Sequence, residues 1–288
     1  MTETGARGST PVSEPEQAEL IELLTEQWQA LDRLVADLDE PGWRTPTTLP
    51  GWTVFDVLAH VIGTESWLLG ERPPAADPLR PKVDARELPH VRNETGVLNE
   101  IWVDRLRPLP PARLRELFAS VTERRAAALR ALDADAWAAK TPSPIGEVSY
   151  GRFMRVRLFD CWMHEIDIAD ALGVTVAEGG RRGEVAFQEF LGSIPRVLVK
   201  RGQAPEGARI EIDLSGALAR TLRVAVQGRA GFVDELDGPP DTAIALDSGL
   251  FTRLGGGRTA AAEHIGEIAV RGDTELGERL VRSLAFTI

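Results

Sequence analysis

Arg157-Leu-Phe-Asp160-Cys-Trp-Met-His164-Glu-Ile-Asp167-Ile168 is the stretch on which the fold of this chain turns. With Phe153, Met154 and Val156 before it, the segment is apolar on nearly every face at helical spacing. The pattern predicts a buried helix from about Tyr150 to Leu172, with Gly173 where a C-terminal cap belongs. A carboxylate in such a helix is expected to be buried, and a buried carboxylate needs a partner. Asp160 and His164 are four residues apart, which places both side chains on one face about one turn apart.

Upstream of this stretch the periodicity is helical throughout. Leu20, Leu23, Leu24, Trp28, Leu31, Leu34 and Val35 form one apolar stripe on a first helix. A loop is expected from Asp39 to Trp52, where Pro41, Gly42, Pro50 and Gly51 act as breakers. Thr53 then caps a second helix, with Asp56 in the capping-box position and Gly70 at its end. Asn93 to Leu106 and Ala112 to Leu132 read as further helices, parted by Pro108, Pro110 and Pro111. These pack as a four-helix bundle with extra turns.

Downstream the character changes. All seven tryptophans precede residue 163, whereas most of the 27 glycines follow residue 178, and the shift marks a domain boundary. After a single helix from Glu184 to Lys200, Ile210, Ile212 and Leu214 alternate with Arg209, Glu211 and Asp213, the mark of a half-buried strand. Leu222, Val224 and Val226 repeat the pattern, and Ala243 to Leu246 and Ile268 to Val270 supply two more strands. Helices near Asp247 to Leu254 and Thr274 to Leu284 complete an α+β domain with an antiparallel or mixed sheet. The expected organisation is a disordered N-terminus at 1–16, a helical bundle at 17–178 and an α+β domain at 179–288. Gly255, Gly256 and Gly257 lack phosphate-loop spacing and read as a turn.

Charge and composition exclude several classes of function. A net charge of −11, with no basic patch, argues against nucleic acid or anionic lipid as a partner. The first sixteen residues have no apolar core of a signal peptide, and no run approaches the roughly 18 apolar residues of a membrane helix. A soluble cytoplasmic protein, monomer or homodimer, is expected. Cys161 is the only cysteine, so an intrachain disulfide and a thiolate cluster are both excluded, and any metal falls to histidine and carboxylate.

Asp160 and His164, with His60 late in the second helix, form the candidate constellation. Spacing alone favours a local hydrogen-bonded pair for Asp160 and His164 over a metal site. Burial of the helix shifts the balance, because facing bundle helices that project carboxylate and imidazole inward are a standard way to build a metal centre. Such a set suits zinc, with iron, nickel or manganese as alternatives, and three protein ligands leave a coordination position open for chemistry.

The segment Leu49-Pro-Gly-Trp52-Thr-Val-Phe-Asp56-Val-Leu-Ala-His60-Val, paired with the opening stretch, resembles the mycothiol-dependent maleylpyruvate isomerase family of the DinB-like superfamily. Phe251-Thr-Arg-Leu-Gly-Gly-Gly-Arg258 and Val270-Arg-Gly-Asp273 resemble that family's sterol-carrier-like C-terminal domain. The resemblance implies that His60, Asp160 and His164 hold a divalent metal, usually zinc, and that the open position takes the sulfur of mycothiol, the low-molecular-weight thiol of actinobacteria. It also implies that Arg258 is lent to the active site. One departure stands out: the best-known isomerase of the family has Glu where this chain has Asp160, so the metal site carries over while the isomerase reaction does not follow automatically.

Around this set, Asp167 reads either as an acceptor that orients the His164 ring or as a solvent-facing residue near the helix end. Arg157 balances Asp160, holds an anionic substrate, or is a plain helical ion pair. Trp52 and Trp162 pack or line the pocket, Cys161 reads as a buried free thiol, and His90 and His264 as surface residues. Three classes of function fit. One is a metal-dependent enzyme that activates a small thiol for S-transfer to, or isomerisation of, a small electrophile. The second is a metal-dependent hydrolase, and the third a small-ligand binding protein.

Overall fold

The long helix expected around Asp160 runs from Tyr150 to Leu172 in a computed structural model that describes residues 13–76 and 84–287. Ser149 caps its start by accepting from the Arg152 amide, and Gly173 closes it at φ +66°, the left-handed turn that a glycine adopts without strain. The described chain divides into two compact units, Pro15–Val176 and Ala177–Ile288, the second including residues up to Glu14. Of the expected disordered segment, residues 1–12 lie outside the described residues.

The first unit contains α1 (Gln17–Val35), α2 (Glu40–Trp43), α3 (Val54–Leu68), α4 (Glu94–Leu106), α5 (Pro111–Arg130), α6 (Ala134–Ala138) and α7 (Tyr150–Leu172), with a hairpin of β1 (Lys140–Ser143) and β2 (Gly146–Ser149) before α7. Helices α1, α3, α5 and α7 pack on one another as the bundle, and α4 lies against α3. Gly63 permits that approach, since a Cβ there would stand 2.5 Å from Cβ of Trp102 on α4. The start of α3 is fixed by Asp56, whose Oδ2 accepts from both the amide and the hydroxyl of Thr53 at 3.0 Å.

One expectation here needs correction. The loop from Asp39 to Trp52 contains α2, nucleated by Asp39 accepting from the Gly42 amide, with Pro41 in the first turn where its missing N–H costs nothing. Four residues are too few to show a period. Between α5 and α7 lie α6 and the β1–β2 hairpin, absent from the sequence reading; no residue of the two strands is buried, so they carry no apolar alternation.

The second unit contains α8 (Gly180–Leu191), α9 (Ile194–Lys200), β3 (Arg209–Ser215), β4 (Arg220–Gln227), β5 (Arg229–Phe232), β6 (Thr242–Asp247), α10 (Ser248–Gly255), β7 (Ala269–Gly272) and α11 (Thr274–Arg282). The single helix expected from Glu184 to Lys200 is two, because Gly192 and Ser193 break it and Pro195 cannot continue the ladder. The sheet is mixed, in the order β5-β4-β3-β6-β7. Strand β3 runs antiparallel to β4, with Ile212 opposite Leu222, and parallel to β6, with Ile212 opposite Ile244. Strand β5, absent from the sequence reading, is brought back onto β4 by Gly228 at φ +69° and has no apolar alternation of its own.

Its core is apolar: Phe187, Phe190 and Phe251 meet at ring separations of 5.6–6.4 Å beside Ile212, Ile244 and Leu246. The gap lined by Leu198, Ile212, Ile244, Leu246, Phe251, Leu280, Val281 and Leu284 leaves no room for a water molecule. This core is filled by its own side chains. The expected class, a helical bundle followed by an α+β unit, is the one observed. Among the described residues no helix is long and apolar enough to cross a membrane.

Candidate metal centre

Helix α3 carries His60 and helix α7 carries Asp160 and His164, and the packing of these two helices brings the three together. One ligand atom from each lies within 4.8 Å of the others. Oδ2 of Asp160 is 3.4 Å from Nε2 of His60 and 3.7 Å from Nε2 of His164. Metal–ligand bonds of about 2.1 Å in a tetrahedral arrangement place ligand atoms roughly 3.4 Å apart, so the donor set fits a single small divalent cation.

The two imidazoles are buried, at 5 % and 6 % exposure, whereas the Asp160 side chain is 34 % exposed. Full burial of Asp160, expected from the apolar helix, is therefore corrected: its side chain is only partly buried. Burial pushes the His60 imidazole below its usual pKa, although Asp160 pulls the other way. The ring is therefore neutral near pH 7 and has a lone pair to give. Burial also opposes ionisation of Asp160, yet Arg157 first, then His164 and His60, hold its carboxyl well below the ordinary carboxylate range.

Two of the three candidate ligands, His164 and Asp160, have a neighbour that fixes them. Asp167 is buried rather than solvent-facing, and its Oδ2 lies 3.0 Å from Nδ1 of His164. A proton held on Nδ1 leaves Nε2 free to bind a cation. Nδ1 of His60 is buried with no hydrogen-bond partner among the described residues. Arg157 donates from Nη1 to Oδ2 of Asp160 at 2.6 Å, from Nη2 to Glu65 at 2.9 Å, and from Nη2 to the Cys161 sulfur at 3.4 Å. Arg157 is 4 % exposed and is the charge partner of Asp160. Cys161 is a buried free thiol whose pKa burial pushes up, so it is inert as a nucleophile.

Behind these groups lies a chain of buried charge that the sequence reading missed. Glu65 on α3 is fully buried between two guanidiniums, Arg157 and Arg125, the second donating at 2.9 Å from α5. Arg125–Glu65–Arg157–Asp160 alternates in sign across three helices. A signal for it exists: Glu65 falls in phase with Leu58, Val61 and Ile62, and Arg125 in phase with Leu114, Phe118 and Val121.

Trp52 forms one wall of the site. Leu49-Pro-Gly-Trp52 is a tight turn closed by the Trp52 amide on the Leu49 carbonyl, with Gly51 at φ +78° as a type II turn requires. The indole stands 5.2 Å from the His60 ring and 6.4 Å from that of His164. His90, expected as a plain surface residue, is tied to the same wall, because His90 and Trp52 share Oε1 of Glu100. Arg258 lies in the second unit, donating to the Gly256 carbonyl and the Thr287 hydroxyl. His264 there pairs with Thr259 and Glu267.

Comparison with known proteins places this arrangement. The profile of the mycothiol maleylpyruvate isomerase N-terminal domain family matches residues 24–169, which include all three candidate ligands. An uncharacterized protein of Mycobacterium tuberculosis, present in two strains, is 28% identical over 144 residues, 50% of this chain and 52% of the relative. The chain thus spans about half the length of the curated relatives it matches. The crystal structure of the mycothiol-dependent maleylpyruvate isomerase superposes with a TM-score of 0.55 at 20% identity, covering 85% of this chain and 90% of that one. A histidine-to-alanine mutant of that enzyme gives 0.53 at 18% identity with the same coverage. At such identity the likeness is one of fold.

Proposed function

Since the chain belongs to the mycothiol maleylpyruvate isomerase N-terminal domain family, we propose that it is a metal-dependent enzyme that activates a low-molecular-weight thiol, mycothiol, against a small electrophilic substrate. The observation that carries the reading is the convergence of His60, Asp160 and His164, with the Asp160 side chain partly exposed, within the matched domain. Zinc is the proposed metal, on the strength of two imidazoles and one carboxylate.

A bound cation would supply Lewis acidity, turning a thiol with a pKa near about 8.5 into a thiolate at neutral pH. This chain's residues prepare that event. His60 is kept neutral by burial, and Asp167 holds the proton of His164 on Nδ1. Arg157 takes up part of the Asp160 charge, so the carboxylate quenches less of the cation's. Trp52 keeps water from one side of the imidazoles.

Such a thiolate would add to one carbon of an electron-poor alkene, the electron pair passing into the substrate's conjugated acceptor. Rotation about the resulting single bond and expulsion of the same thiolate complete an isomerisation. Attack on a carbon that bears a leaving group would instead complete S-transfer. The shorter arm of Asp160 relative to Glu makes both outcomes part of the proposal.

Metal analysis and a thiol titration on one preparation test the proposal. Stoichiometric metal is expected, lost on replacing both His60 and His164 with Ala, together with a shift in the absorption of cobalt-substituted protein when mycothiol is added. Absence of metal overturns the site. Metal with no spectral response to mycothiol overturns the thiol and favours a bound water, the hydrolase reading.

A further inference from the structure

Glu100 sits on the buried stripe of α4, in phase with Val97, Val103 and Leu106, and is 4 % exposed. An apolar residue would fill that position without the cost of desolvating a carboxylate. Its partners show where the charge is used. Oε1 accepts from the Trp52 indole N–H at 2.6 Å and lies 2.8 Å from Nε2 of His90. Trp52 stands against the candidate metal centre, and neither partner belongs to α4.

An indole N–H is a donor only, and a hydrogen bond to an ionised acceptor is roughly twice as strong as a neutral one. The turn Leu49–Trp52 sets the backbone from which the indole projects, but it leaves the side-chain torsions open. Glu100 closes them by holding the one polar atom of the ring. With that atom held, the ring lies against both His60 and His164. The register of α4 on α3 that brings Glu100 within reach depends on the close approach at Gly63.

We infer that Glu100 is a positioning residue for the metal centre: it fixes the Trp52 indole as a wall against both ligand imidazoles, and so sets how tightly the site holds its cation. The inference rests on the metal reading above. It predicts that Trp52 and Glu100 act as one unit, whose loss weakens metal binding without removing a ligand.

The test measures cobalt affinity, by competition with a chelator, in the wild-type chain and in Glu100→Leu, Glu100→Gln, Trp52→Phe and the Glu100→Leu, Trp52→Phe double variant, each shown to be folded by circular dichroism. Glu100→Leu is expected to weaken binding about tenfold, as loss of an outer-layer partner does. Glu100→Gln keeps an acceptor and is expected to stay within about threefold of wild type. Trp52→Phe keeps a ring, loses the N–H, and is expected to match Glu100→Leu. In the double variant the second substitution adds less than about twofold, because the effects of coupled residues do not add. Wild-type affinity in Glu100→Leu, or the same loss from it in the Trp52→Phe background, overturns the inference while leaving the metal site standing. If Glu100→Leu does not fold, Glu100→Gln and Trp52→Phe decide, and wild-type affinity in Trp52→Phe overturns the inference. A wild-type protein that takes no cobalt overturns the metal reading itself, and the inference with it.

Discussion

Both units of this chain have an apolar core, but they differ in how much charge they bury. Within the bundle, Gln27, Asp56, His60, Glu65, Glu100, Arg125, Arg157, His164, Glu165 and Asp167 are all buried. In the α+β unit the buried polar residues among those described are Glu189, Thr242, Ser248 and Thr252. Burying an ion costs several kcal/mol that its partner only partly returns, so a core built for stability alone would resemble the sheet unit. The bundle accepts that cost around Asp160. Its charges alternate from Arg125 through Glu65 and Arg157 to the candidate ligand, which holds the site in shape before any cation arrives. One unit buries charge around its candidate metal centre, and the other packs around phenylalanines.

The sharpest way to break this comparison is to remove the middle of the charge chain. Glu65→Ala leaves two buried guanidiniums without their shared counter-charge and is expected to destabilise the bundle by about 3 to 5 kcal/mol. Ile212→Ala in the sheet core is the apolar control, at about 2 to 5 kcal/mol through cavity formation. Chemical denaturation monitored by amide exchange in each unit reads the two separately. A Glu65→Ala cost below about 1 kcal/mol, typical of a surface ion pair, would mean that the bundle is not organised by its buried charge.

Metal addition sharpens the same contrast. Zinc at one hundred times its dissociation constant is expected to stabilise by about 2.7 kcal/mol. Slowed amide exchange should appear in α3 and α7 and leave β3, β4 and β6 unchanged. Equal protection in both units would undo the assignment of the centre to the bundle. Asp167→Asn follows in size: the ring of His164 loses its anionic acceptor, and metal affinity is expected to fall about 10- to 100-fold with the three ligands intact. Calorimetric titration checks it, and unchanged affinity would reduce Asp167 to a packing residue.

How much of this was legible in the sequence depends on how local its cause is. The capping box of Thr53 and Asp56 and the glycine stop of α7 are determined by neighbouring residues and were read directly. Alternation revealed β3 and β4 because one face of each is buried. Strand β5 and the β1–β2 hairpin stayed hidden because pairing, rather than pattern, makes them strands. The candidate ligands emerged from a one-turn spacing in an apolar helix and from the two paired segments. Glu65, Arg125 and Glu100 did not, although each falls in phase with an apolar stripe, because a charged residue on a helix reads by default as solvent-facing. A charge in phase with buried neighbours is the signal that would have found them.

The smallest predicted effect is a pH slope that belongs to the bundle. In the metal-free protein the folded-state pKa of His60 lies below its ordinary value of 6.5, so below that pH the unfolded chain binds a proton that the folded chain refuses. Stability is therefore fully present above 6.5 and falls as the pH drops toward the folded pKa, by at most about 1.4 kcal/mol per pH unit for one group. Asp160 contributes no slope there, since its carboxyl is held well below 3.8 and stays ionised throughout the window. Thermal melts of metal-free wild type between pH 7 and pH 5 should thus decline more steeply than those of His60→Gln, which cannot take up the proton. Parallel declines would show that His60 is not the buried neutral imidazole from which the bundle builds its centre.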